Sequence, residues 1–99
     1  MLLNITVIGL SASLSIITPK QGSYKDMIEI EWLVNNDNDI SFEIHIYYTQ
    51  LGTDRWHPLN PDPIINARKY LWNSTFVADG EYKIMVEGVG NNTIIHNLP

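Results

Sequence analysis

Three stretches of this chain alternate apolar and polar residues with a period of two, and that alternation restricts the fold more than any other feature. Ile28, Ile30, Trp32 and Val34 alternate with Glu29, Glu31 and Leu33. Phe42, Ile44, Ile46 and Tyr48 alternate with Glu43, His45 and Tyr47. Tyr82, Ile84 and Val86 alternate with Lys83, Met85 and Glu87. Successive side chains on a strand point to opposite faces, so each stretch presents one apolar face to a core. No apolar series at helical spacing runs over a dozen positions.

Weaker strand signals flank these three. Residues 14–18 stop at Pro19, and residues 55–59 suit a short edge strand. Residues 69–76 are rich in aromatic and β-branched types, residues 93–96 read as a last strand, and residues 6–10 offer an additional leading segment. Turn chemistry separates them. Pro19-Lys20-Gln21-Gly22, the polar run from Asn35 to Asp39, Asp79-Gly80 and Gly90-Asn91-Asn92 all punctuate the pattern. Pro61-Asp62-Pro63 forbids a continuous ladder, because proline has no N–H to give. About seven short antiparallel strands with turns every 8–12 residues point to a β-sandwich. A small barrel shares the pattern and stays open. The expected organisation is a leading segment or linker over residues 1–13 and one domain over residues 14–99.

Composition limits what such a domain does. At 99 residues and 44% hydrophobic, the chain can bury one core but cannot hold a Rossmann or TIM architecture. Its formal charge of -5 does not attract a phosphate backbone, so nucleic acid is not an expected partner. With no cysteine, a disulfide, a thiolate zinc site and a cysteine nucleophile are all excluded. No apolar run approaches the ~18 residues of a membrane-spanning helix, so membrane insertion is not expected. The first charged residue is Lys20, so the opening residues lack the basic stretch of a signal peptide. They read better as a leading strand or linker. Three sequons, at Asn4, Asn73 and Asn91, are glycosylation candidates if the chain is secreted, although ten asparagines make chance sequons common.

Trp32 lies on the apolar side of its strand. Tyr82 follows the turn Ala78-Asp79-Gly80-Glu81 and opens its own strand, where its hydroxyl can return to upstream backbone. Phe76, six residues earlier, is expected to pack beneath that corner. This layout resembles a fibronectin type III or related immunoglobulin-like domain. Ile17-Thr18-Pro19-Lys20-Gln21-Gly22 followed by Ile28-Glu29-Ile30-Glu31-Trp32 is similar to the opening of such modules in secreted microbial proteins. The run from Tyr70 to Ile84 resembles their later half. Where many relatives carry proline before the Asp-Gly turn, this chain has Ala78. The resemblance covers roughly residues 14 to 96. It implies an immunoglobulin-like sandwich of the kind found in archaeal and bacterial surface proteins and appended to subtilisin-like proteases. The implied location is extracellular or at the cell surface. The implied partners are other domains of a parent chain or cell-surface proteins, and the implied role is non-catalytic.

Residue chemistry adds few site candidates. Trp56 with Tyr47, and with Tyr48 beside them, offers an aromatic platform for a sugar ring, against the ordinary reading of aromatics packed over a sheet edge. Asp37 and Asp39 sit in an oxygen-rich loop of the kind that can ligate calcium, but the full EF-hand pattern is absent and solvated Asx turns explain the loop as well. No other cofactor is expected. His45, His57 and His96 lack metalloprotease spacing. No P-loop, nucleophile elbow or dinucleotide fingerprint occurs. Glu29 and Glu31 are roughly 6–7 Å apart along one outer strand face, without the cleft a carboxylate pair needs. Three readings follow: an accessory module beside a larger catalytic or surface protein, a carbohydrate-binding module, and a surface-layer or filament subunit that pairs through its edge strands.

Overall fold

The computed structural model describes residues 12–36, 41–90 and 93–97. Their secondary structure is β-strand apart from one short 3₁₀ turn. The strands are β1 (Ala12–Thr18), β2 (Met27–Asn36), β3 (Glu43–Gln50), β4 (His57–Pro58), β5 (Ile64–Ile65), β6 (Lys69–Asn73), β7 (Tyr82–Gly90) and β8 (Thr93–His96), and the turn is Ser74–Phe76. One antiparallel sheet runs β1-β2-β6 and the other β4-β3-β7-β8, with β5 also pairing with β3.

The period-two residues face each other between these sheets. Ile28, Ile30, Trp32 and Trp72 come from the first sheet, and Phe42, Ile44, Ile46, Val86 and Ile95 from the second. Ile30, Ile46 and Val86 are wholly buried, and Trp32 is 1% exposed. In-register pairs set the contact: Ile16 lies opposite Trp32, Ile28 opposite Trp72, and Ile46 opposite Val86. A one-residue slip would turn each of these faces to water, so the register is strongly specified. Across the layers, the Tyr70 hydroxyl donates to the Leu59 carbonyl oxygen at 3.2 Å.

Two asparagines stand in for strand where strand runs out. The edge of β3 meets β4, then the proline-rich stretch, then β5. Asn60 spans the gap: its Oδ1 accepts from the Ile46 N–H at 2.7 Å, and its Nδ2 donates to Ile44 O at 3.1 Å and Asp62 O at 2.8 Å. Past β8, Asn97 repeats the arrangement on β7. Its Oδ1 accepts from the Val86 N–H at 2.6 Å, and its Nδ2 donates to Ile84 O at 3.3 Å. Backbone groups that would otherwise be orphaned are thus satisfied by side chains. Close approach also sets Gly90, where a Cβ would collide with the Ser41 carbonyl oxygen.

The structure departs from the sequence reading in three places. Strand character was expected through residue 76, but β6 ends at Asn73 and the chain turns into the 3₁₀ segment. The Asn73 side chain causes this, because its Oδ1 accepts from the Thr75 N–H at 3.2 Å and offers the backbone an alternative to the ladder. Phe76 does not pack beneath the tyrosine corner. It is 86% exposed, and the half-buried Val77 packs against the core instead. Strand β5 was not anticipated, because two residues after a proline carry no period. The leading segment of residues 6–10 lies outside the described residues.

Removing a large aromatic from this core leaves a cavity. Trp32→Ala is expected to lower stability by about 3–5 kcal/mol in chemical denaturation. Asn60→Ala would strand two buried backbone groups and should cost at least about 2 kcal/mol, at roughly 1–3 kcal/mol per unsatisfied group. An unchanged midpoint for Asn60→Ala would show that β3 does not depend on that bridge.

Candidate functional site

The aromatics named in the sequence divide between the two faces of the second sheet. Tyr48 is on the inner face, in line with Ile44 and Ile46, and cannot join an outer platform. Its ring stacks on Trp72 with centroids 5.5 Å apart, meets Tyr82 edge-on at 6.0 Å, and lies 5.2 Å from the His57 ring. Trp72 and Tyr82 meet edge-on at 6.3 Å. This cluster joins β6 of one sheet to β3 and β7 of the other. From it, the Tyr82 hydroxyl donates to Ala78 O at 2.6 Å, four residues upstream, as the corner reading expected. That bond lies at the surface rather than in the core.

Tyr47 and Trp56 both belong to the outer side. Tyr47 is half-buried on β3, with Pro58 opposite it on one side and Met85 on the other. No ring contact joins it to Trp56 among the described residues. Trp56 instead forms part of a separate cleft at the end of the β3–β4 hairpin.

That hairpin is built by local chemistry. The Thr53 N–H bonds to Gln50 O at 3.1 Å, closing a four-residue turn, and Gly52 takes φ 88° at the third position. A positive φ there is the requirement of a type II turn, and glycine meets it without steric cost. The Leu51 N–H ties the turn to Glu81 O at 2.9 Å. Thr49, buried although it points outward, anchors the returning arm. Its hydroxyl donates to Arg55 O at 2.6 Å and lies 3.1 Å from the Thr53 hydroxyl, which itself donates to Gln50 O.

The result is a shallow cleft of about 400 Å³ between the turn and β7, lined by Gln50, Thr53, Asp54, Trp56 and Lys83 among others. Trp56 remains 41% exposed in it. The backbone of the turn is fixed by the threonines, whereas the side chains of Gln50, Asp54, Trp56 and Lys83 have no hydrogen-bond or ion-pair partner among the described residues. Sequence reasoning found Trp56 but missed the rest of the cleft. Thr49 carries no motif, and its role appears only once the hairpin closes.

The other candidates are placed apart. Asp37 and Asp39 lie outside the described residues, as do Asn4 and Asn91. Asn73 is half-buried at the end of β6, with its Oδ1 accepting from both the Thr75 N–H and, at 2.6 Å, the Thr75 hydroxyl. Ser74 pins this turn to Asp26 O through its N–H at 2.8 Å and its hydroxyl at 2.7 Å. Glu29 and Glu31 share the outer face of β2 with Lys69 opposite, whose ammonium is 3.3 Å from one carboxylate and 3.8 Å from the other. His45 lies 3.9 Å from Glu43, and His96 Nδ1 is 3.2 Å from Asn97 O. Among the described residues no group of three or more His, Asp or Glu side chains converges as a metal site would require.

Because the corner bond meets solvent, Tyr82→Phe is expected to cost about 0.5–1.5 kcal/mol, the net worth of an ordinary hydrogen bond. Equal denaturation midpoints for Tyr82→Phe and the parent would contradict a structural role for the hydroxyl. Set against protein-family models, curated proteins and solved structures, the chain matches none.

Proposed function

We propose that this chain is a fibronectin type III-like accessory module of a larger secreted or cell-surface protein, non-catalytic in itself and serving to space, stabilise or dock its neighbours. Lettered in chain order, with β6 as E, β7 as F and β8 as G, the strands follow A-B-E in one sheet and C-F-G in the other. That is the immunoglobulin order without its D strand and with β4 added beside C. The Tyr82 hydroxyl bonded to Ala78 at the start of F supports the same reading. Among the described residues, the buried polar side chains Thr49 and Asn60 serve the fold by bonding backbone.

The docking role rests on one observation, large apolar side chains exposed at one end of the outer face of the β1-β2-β6 sheet, beside the Glu29–Lys69–Glu31 ion pairs. Met27 and Leu71 are 53% and 60% exposed there on adjacent strands, and Phe76 stands out from the turn that follows. Large side chains grouped on a solvent face mark contact with another protein surface. The partner is a neighbouring domain of the same parent chain, by resemblance a subtilisin-like protease domain or another surface module. Pairing of another strand onto β3 or β7 is opposed by Asn60 and Asn97, which occupy the backbone positions that β4, β5 and β8 leave open.

Mass spectrometry of the protein captured from its native source tests this reading. The expected result is peptides that continue beyond the 99 residues into a flanking domain, with sugar mass on Asn73 as a marker of the extracellular route. A native mass equal to these 99 residues would overturn the accessory-module reading.

A further inference from the structure

We infer that the Trp56 cleft is a carbohydrate site that takes one neutral pyranose ring. The inference stands on the cleft and holds whether or not the chain belongs to a larger protein. A pyranose has two chemically distinct parts: a ring face of C–H groups and a rim of hydroxyls, each able to donate and accept. The cleft has a complement for both.

The ring face meets Trp56. An indole with 41% of its surface exposed, beside a turn fixed by three hydrogen bonds from Thr49 and Thr53, is a preformed apolar plate. The rim meets side chains that the fold leaves unspent. Lys83 offers only donors and Asp54 only acceptors. Lys83 and Asp54 line the same cleft yet form no ion pair with each other or with any described residue. Vicinal hydroxyls can accept from the ammonium and donate to the carboxylate at once, so a sugar uses both charges without carrying one. An anionic ligand would meet the Asp54 carboxylate, and a cationic one the Lys83 ammonium. A cleft volume of about 400 Å³ falls within the small-molecule range of roughly 300–1,000 Å³. Tyr47 and Tyr48 take no part, since neither lines the cleft.

The chain carries three tryptophans, and their indole N–H signals in an NMR spectrum provide an internal control. Trp32 and Trp72 are buried in the core, so a ligand in the cleft should leave them unchanged. The probes are the methyl glycosides of glucose, galactose and mannose, with N-acetylglucosamine and methyl glucuronide, each titrated to its solubility limit. The expected result is a saturating shift of the Trp56 indole signal with at least one neutral sugar and a weaker response to the glucuronide. Lys83→Met and Asp54→Asn should each weaken that sugar about 10–100-fold, the worth of one charge-assisted hydrogen bond. Trp56→Ala, at an exposed position, should keep the parent's denaturation midpoint. It should abolish the sugar-dependent shifts of the backbone amides of Thr53 and Asp54. No saturating shift with any neutral sugar would overturn the proposal. So would a stronger response to the glucuronide than to every neutral sugar, or retention of affinity in both Lys83→Met and Asp54→Asn.

Discussion

Tyr48, Trp72 and Tyr82 meet between the two sheets, and much of the molecule is positioned by that meeting. Trp72 comes from β6, and the two tyrosines come from β3 and β7 of the opposite sheet. Offset and edge-on ring pairs of this kind contribute roughly 0.5–1.5 kcal/mol each beyond their buried area. Two features radiate from the cluster. Tyr82 extends its hydroxyl to Ala78 and sets the corner before β7. Tyr48 holds the His57 ring and so places β4, whose preceding residue is Trp56. The local bonds of the hairpin shape the exposed cleft, and the half-buried aromatic cluster lies beside it through His57.

The sheets also have to manage their edges. Short edge strands leave backbone groups that would pair with another chain. On β3 the conflict is sharp, because Pro61 and Pro63 fall where partner strand would run. Asn60 resolves it with a single amide that both accepts and donates, matching the alternating groups of a strand edge. Asn97 does the same for β7 where β8 ends. An aspartate at either position would keep the acceptor and lose the donor. The amide group, rather than polarity alone, is what both positions require.

The fold was legible in the sequence where one physical signal dominated. Alternation identified the inner faces of β2, β3 and β7, and it already aligned Tyr48 with Ile44 and Ile46. Its inclusion in a sugar platform ran against that pattern, and the structure follows the pattern. Tyr82 was legible because the corner needs only a turn and a strand start. Phe76 was not, because Asn73 closes a local turn that ends β6 and swings the next residues outward. Asn60, Asn97 and Thr49 were invisible for a different reason. Each bonds backbone that is distant or newly folded back, and neither composition nor spacing records such a bond. Trp56 was legible as an aromatic near an edge, but its neighbours Asp54 and Lys83 come together only through the hairpin and the β3–β7 pairing.

A double-mutant cycle on Tyr48→Leu and Trp72→Leu tests the central dependence most directly. The two rings belong to different sheets, so any coupling between them reports contact across the sandwich. Chemical denaturation of the parent, both single variants and the double variant should give a coupling of about 0.5–1.5 kcal/mol, the range for an aromatic pair. Additive losses, within the roughly 0.3–0.5 kcal/mol expected of independent sites, would contradict the account. The sheets would then be held together without the stack.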